Sequence, residues 1–158
     1  MLWPPLLAGL GASLCIGLLA GLSQLTDVKI LIVPFGATMV IVFALPSSPL
    51  AQPRNVIGGH VLTAALGLVL LFIANQFSWP ADHPMWLAMA SGLGLALMML
   101  CRCVHPPAGA NPLLVLMVAP SWQFLITPVL SGAVLIVLFA VAFFRHSEQR
   151  YPLSGWWS

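Results

Sequence analysis

What most constrains this chain is how seldom charge interrupts its apolar runs. No charged side chain occurs from Met1 through Thr26, and the 158 residues together hold five Lys or Arg and three Asp or Glu. Charged residues make up 5% of the sequence and hydrophobic ones 61%, where a soluble domain carries roughly 25% charge. So few charges cannot coat a globule of this size, and with a mean hydropathy of +1.06 most of the outer surface must face hydrocarbon. The sequence reads as a single all-α integral membrane domain over residues 1–158. It leaves no material for a separate soluble catalytic module, and no enzyme activity is expected. The net charge of +2 is small and dispersed, without the basic run and interleaved aromatics that nucleic-acid binding needs. The N-terminus lacks a basic stretch, so the first apolar segment is expected to be retained as a span rather than cleaved as a signal peptide.

Six apolar segments lie between the charges and the Pro/Gly punctuation, at about 5–25, 30–45, 55–78, 84–101, 106–119 and 122–144. A helix needs ~20 residues to cross a ~30 Å hydrocarbon core. The first, third, fourth and sixth segments approach that length; the second and fifth are short. Those two begin with Pro34-Phe35-Gly36-Ala37-Thr38 and Pro106-Pro107-Ala108-Gly109-Ala110-Asn111, which reads as two broken helices starting inside the protein. Gly36-Ala37 recurs as Gly109-Ala110 at an offset of 73, and the same alignment approximately pairs Pro53 with Pro128 and Gly58 with Gly132. The expected architecture is two three-helix repeats (long, short, long), about 1–78 and 79–150, followed by a short polar tail at 146–158. Three crossings per repeat is odd, so the halves are expected to be inverted about an axis in the membrane plane, the pattern of transporters with a midplane site. Chance similarity between two membrane hairpins is the alternative.

Topology follows from the Lys and Arg positions. With six crossings and both termini cytoplasmic, Arg54, Arg102, Arg145 and Arg150 lie inside and Lys29 outside, in accord with the positive-inside rule for an inner (plasma) membrane protein. Trp3, Trp79, Trp86, Trp122, Trp156 and Trp157 sit near predicted segment ends and read as interfacial anchors. Gly17 and Gly21, and Ala88, Gly92 and Ala96, offer small faces for close helix packing. Cys15, Cys101 and Cys103 have no partner at metal spacing and read as small core residues.

Two polar clusters stand out: Ser47 to His60, and Arg102 to Asn111. Phe35-Gly36-Ala37-Thr38, then Ser48-Pro49-Leu50-Ala51-Gln52-Pro53-Arg54-Asn55-Val56-Ile57-Gly58-Gly59-His60, then His105-Pro106-Pro107-Ala108-Gly109-Ala110 occur in that order. In these motifs, and over nearly its whole length, the chain resembles the HPP family of integral membrane proteins, named for the tripeptide found here at His105. Chloroplast and cyanobacterial members are associated with nitrite transport, so the resemblance implies an anion transporter or channel, with nitrite the favoured anion. The family is usually described with four transmembrane helices, which follows if the two short segments go uncounted. Where many members have Thr-Ala after the Gly-Ala, this chain has Asn111-Pro112.

Residue chemistry points to an anion independently. The start of a helix offers free N–H groups and a positive dipole end. Helix starts at Gly36-Ala37-Thr38 and Gly109-Ala110-Asn111 are expected to face one spot, with glycine allowing close backbone approach and Thr38 and Asn111 donating hydrogen bonds. Relief of crowding at helix crossings is the bland alternative for the glycines. Arg54, with Asn55 beside it, and Arg102 supply positive potential or act only as topology signals. His60 and His105 contact the substrate, carry a proton, or satisfy a neighbouring carbonyl; His105 before Pro106-Pro107 also suits a cap. Asp27, Asp82 and Glu148 all fall in connections or the tail. With no carboxylate inside an apolar segment, transport is expected to be passive, driven by the gradient and membrane potential, unless a histidine carries a proton. No metal or other cofactor is expected. A chain this size forms a thin bundle, so a homo-oligomer is expected in the lipid bilayer. A non-transporting scaffold or sensor subunit is the alternative function.

Overall fold

The computed structural model describes residues 3–145, 147 and 149–155, and of Trp3 the backbone alone. Trp156, Trp157, His146 and Glu148 lie outside the described residues. Among these residues all regular structure is helical. The α-helices are α1 (Trp3–Thr26), α2 (Val33–Met39), α3 (Pro53–Gln76), α4 (Pro84–Leu100), α5 (Asn111–Val118) and α6 (Ser131–Phe144). α2 continues as a π-helical stretch, Val40–Ala44, and α6 is preceded by another, Leu125–Leu130. Short 3₁₀ turns, Pro49–Ala51 and Pro106–Ala110, lead into α3 and α5.

The boundaries follow local chemistry. Proline occupies the first or second position of α2, α3, α4 and both 3₁₀ turns, where its missing N–H costs nothing. The His83 ring Nδ1 caps α4 by accepting from Met85 N–H at 3.2 Å. Four helices stop at a non-glycine residue with left-handed backbone: Asp27 after α1, Ser78 after α3, Arg102 after α4 and Ala119 after α5. Pro128 cannot continue a helical ladder, and the backbone departs from helix at Thr127 (φ −134°, ψ 116°), so the sixth segment is kinked rather than uniform.

Three helices are long and apolar enough to cross a membrane: Pro4–Thr26, Pro53–Gln76 and Leu125–Phe144. The fourth segment, expected to be of spanning length, is a shorter apolar helix of 17 residues. At 1.5 Å per residue it spans about 26 Å.

α3 is the hub. Half of its most apolar window is buried, against 17% for α1, and it packs on α4, α5, α6 and the Pro106–Ala110 turn. Two glycines make that approach close: a Cβ at Gly67 would lie 2.9 Å from Pro112 Cα, and one at Gly59 would lie 2.9 Å from His105 Cβ. Phe35 presses on Gly132 of α6, and Phe43 packs among Phe139, Phe143 and Phe144 beside Gly11. The faces expected to bring helices together differ from these. A Cβ at Gly17, Gly21 or Gly92 would meet nothing within 4 Å, so those small faces are open in the protomer. Trp86 is buried against Trp79 rather than exposed as an anchor, and Cys101 is exposed rather than in the core. The tail folds back: the buried Tyr151 hydroxyl donates to Ala51 O at 3.0 Å, and Leu153 N–H donates to Gln52 Oε1 at 2.9 Å. Burial pushes the Tyr151 phenol well above its ordinary range, so it stays a donor.

Candidate functional site

The two broken segments meet α3 in a cluster of fully buried polar side chains: Thr38, His60, Thr63, His105 and Asn111. Thr38 sits on the inward face of α2. His60 and Thr63, three residues apart, share one face of α3. Asn111 is the first residue of α5. His105 precedes the 3₁₀ turn with extended backbone (φ −133°, ψ 102°), and the missing side chain at Gly59 lets it lie against α3. Asn55 Nδ2 donates to Val104 O at 2.9 Å and Arg54 Nη2 to Cys101 O at 3.1 Å, tying the 101–105 connection to the start of α3.

Backbone carbonyls, which only accept, assign the direction of the hydrogen bonds. Asn111 Nδ2 donates to His60 O at 3.0 Å, which fixes the amide orientation, so His60 Nδ1, 3.0 Å from the same NH2 group, faces a donor and accepts a share of its two hydrogens. His60 is then the Nε2–H tautomer and donates to Thr38 Oγ1 at 2.8 Å. At the other end His105 Nδ1–H donates to Leu50 O at 2.8 Å, leaving its Nε2 to accept from Thr38 Oγ1–H at 3.0 Å. The cluster is one polarised chain, Asn111 to His60 to Thr38 to His105 to Leu50, with both rings neutral. Their centroids are 5.1 Å apart, and Phe35 closes over His60 edge-on at 5.0 Å. Thr63 Oγ1 accepts from Asn111 Nδ2 at 3.1 Å and donates to Gly59 O at 2.7 Å. Asn111 Oδ1, fully buried, has no hydrogen-bond partner.

Of the residues singled out in the sequence, Thr38, His60, His105 and Asn111 come together; the rest do not. Arg54, half-buried, and Arg102, exposed, line a separate polar cavity of about 270 Å³ with Gln52, Asn55 and tail residues 153–155. Gly36, Ala37, Pro106 and Ala110 are exposed, Gly109 is half-buried, and Pro107 is buried. Pro106, Pro107, Ala37 and Ala110 line an apolar cleft of about 760 Å³ between the two short helices. A Cβ at Gly36 or Gly109 would meet nothing within 4 Å, so neither glycine serves a close backbone approach. The helix starts also lie earlier than expected, at Val33 and Pro106. Pro34, Pro106 and Pro107 have no N–H to offer, while Phe35 N–H is taken by Ile32 O at 3.0 Å and Ala108 N–H by His105 O at 2.9 Å. Free N–H groups thus contribute little at these ends. Nor does the His105 side chain cap its own turn; it reaches Leu50 and Thr38 instead. Thr63 and the Leu50 carbonyl escaped sequence reasoning. The spacing of Thr63 from His60 was a usable signal for the first; nothing local marks the second.

The family described as HPP, transmembrane region, matches residues 2–152. Two transmembrane proteins of Dictyostelium discoideum are similar. One is 39% identical over 135 residues, covering 82% of this chain and 47% of the relative. The other is 33% identical over 127 residues, covering 77% of this chain and 40% of the relative. The chain therefore spans less than half the length of these relatives. No solved structure matches. The matched family takes in both short segments, the His105-Pro106-Pro107 tripeptide and the whole buried cluster, and the apolar helices carry it through the bilayer: the chain belongs to the HPP family of transmembrane proteins and is a multi-pass membrane protein.

Proposed function

We propose that this protein is a transporter or channel for a small inorganic anion, with nitrite the favoured substrate, and that the anion passes the level of Thr38, His60, His105 and Asn111. The observation that carries the reading is a cluster of neutral hydrogen-bonding side chains, all fully buried, where two broken helices meet the central helix of an otherwise apolar bundle. Ionisable side chains buried in a membrane protein are costly and are functional-site candidates by default, and His60 and His105 are two such side chains. No Asp or Glu is buried among the described residues, which speaks against a metal-cation site and against carboxylate-based coupling, and supports movement down the available gradients. Arg54 and Arg102 give the polar cavity at one end a positive potential suited to drawing in an anion.

The inverted repeat belongs to the same reading. Thr38 and Asn111, equivalent under the 73-residue offset, engage the two nitrogens of the one His60 ring. Six crossings with cytoplasmic termini in a plasma membrane complete the reading; the tail's hydrogen bonds to Ala51 and Gln52 keep Arg54, Arg102 and the tail at one end, as six crossings require. A homo-oligomer is favoured by the open small faces at Gly17, Gly21 and Gly92. The second reading, a non-transporting scaffold or sensor subunit, draws on the closure of the cluster, whose hydrogen bonds clamp α2, α3 and α5 together. Flux of nitrite, nitrate, chloride and formate into proteoliposomes tests both. Protein-dependent flux of nitrite above the others is expected, and no flux of any anion decides for the scaffold.

A further inference from the structure

An anion at the level of Thr38 meets no permanent countercharge. The described residues with fully buried polar side chains there are Thr38, His60, Thr63, His105 and Asn111, and of these only the two imidazoles can become cationic. Arg54 and Arg102 belong to the polar cavity, the Cys103 thiol is raised by burial and stays neutral, and the Tyr151 hydroxyl is committed to Ala51. No carboxylate faces the pair from α2, α3, α5 or the 101–105 connection. An unpaired charge buried in such surroundings is strongly disfavoured.

The cluster has a place for one proton without displacing a heavy atom. Thr38 Oγ1 lies 3.3 Å from Pro34 O as well as 3.0 Å from His105 Nε2. When His105 Nε2 gains a proton, the Thr38 hydroxyl turns to donate to Pro34 O, and both rings then donate to Thr38 Oγ1. Asn111 Oδ1, at the other end of the same amide, is a second pointer. It is an acceptor without a donor, fully buried, and the O–H of a protonated weak acid satisfies it. The chain ends near the polar cavity: Leu50, which accepts from His105, lies between the cavity-lining Pro49 and Gln52, and the cavity-lining Asn55 binds Val104, next to His105.

We propose that the anion crosses together with a proton shared with the His60–His105 pair, as an electrically neutral couple, and that the preferred substrates are monovalent oxyanions of weak acids. This rests on the anion-transport reading above. It replaces uncoupled, potential-driven movement with co-movement: one anion and one proton enter at one face and leave at the other, and no covalent bond to the protein forms. The full chain is reconstituted in proteoliposomes carrying an internal pH dye, with the membrane potential clamped by potassium and valinomycin and sodium nitrite as the probe. The expected result is influx that acidifies the lumen beyond protein-free vesicles, rises with an inward proton gradient and is unchanged when the clamped potential is altered. His105→Gln keeps hydrogen-bonding capacity without a titratable ring; it is expected to lower flux by about tenfold or more, the loss of a charge-assisted hydrogen bond, and to abolish the dependence on the proton gradient. Nitrite current that follows the clamped potential without lumenal acidification overturns the inference and leaves anion transport standing. Absence of flux for nitrite, nitrate, chloride and formate overturns both. Should His105→Gln fail to insert, the potential dependence of the parent protein decides alone.

Discussion

Thr38 is the residue on which the buried chain turns, since one hydroxyl both accepts from His60 and donates to His105. Thr38→Val keeps the shape and leaves an N–H and a ring nitrogen buried without partners. It should destabilise the protein by about 1–3 kcal/mol, read as a lower melting temperature in detergent, and suppress nitrite flux. Arg54 acts differently. Its guanidinium reaches the Cys101 carbonyl and borders the polar cavity, not the buried cluster. As a source of potential it should tolerate Arg54→Lys in part, whereas Arg54→Gln should lower flux; unchanged flux in a well-inserted Arg54→Gln protein reduces it to a topology signal. Gly36 and Gly109 have space for a side chain in the protomer. Gly36→Leu and Gly109→Leu should therefore leave the protomer folded, so that lost flux would report a path or a subunit contact along the exposed face of the short helices.

At the level of elements, the contact between α3 and α5 is made by Gly67 against Pro112 and Val115, with 2.9 Å from a would-be Cβ to each. That clearance admits no side chain. Gly67→Val should separate α3 from α5, cost about 1–3 kcal/mol as overpacking, and pull Asn111 away from His60; its melting temperature should fall well below that of Gly17→Val, which meets open space. The helix ends supply an opposite prediction. Ala119 closes α5 at φ 51° while its N–H donates to Val115 O at 2.9 Å. A left-handed residue with a Cβ costs roughly 1–2 kcal/mol, so Ala119→Gly should raise the melting temperature without changing flux.

For the whole molecule, topology is the testable quantity. In a Cys101→Ser background, needed because that thiol is exposed, an impermeant reagent should reach Ser47→Cys from the cytoplasm and Asp82→Cys from outside. The reverse pattern at either position would sink the six-crossing, inverted-repeat arrangement. Tyr151 and Leu153 tie the tail to the segment entering α3, and this segment also carries Leu50, the terminal acceptor of the buried chain. Tyr151→Phe should lose about 1 kcal/mol of stability, the net worth of one buried hydrogen bond, and loosen the cavity beside Arg54.

Hydropathy alone determined that the chain is helical and lives in a bilayer, because eight charges in 158 residues leave no soluble alternative. Proline placement was equally legible: it marks the entries to α2, α3, α4 and the turn before α5, since a residue without an N–H suits only the first turn. The repeat offset, the two polar clusters and the family motifs singled out Thr38, His60, His105 and Asn111, but together with Arg54, Arg102, Gly36 and Gly109, which lie outside the buried cluster. Their partners were not legible. Thr38 lies 67 residues from His105, and His105 lies 55 from Leu50, separations no local pattern encodes. Which glycines matter was also a tertiary decision. Gly36 and Gly109 carry the motif yet face open space, while Gly59 and Gly67 admit the neighbouring backbone, because clearance is set by what packs opposite a residue and not by the residues beside it.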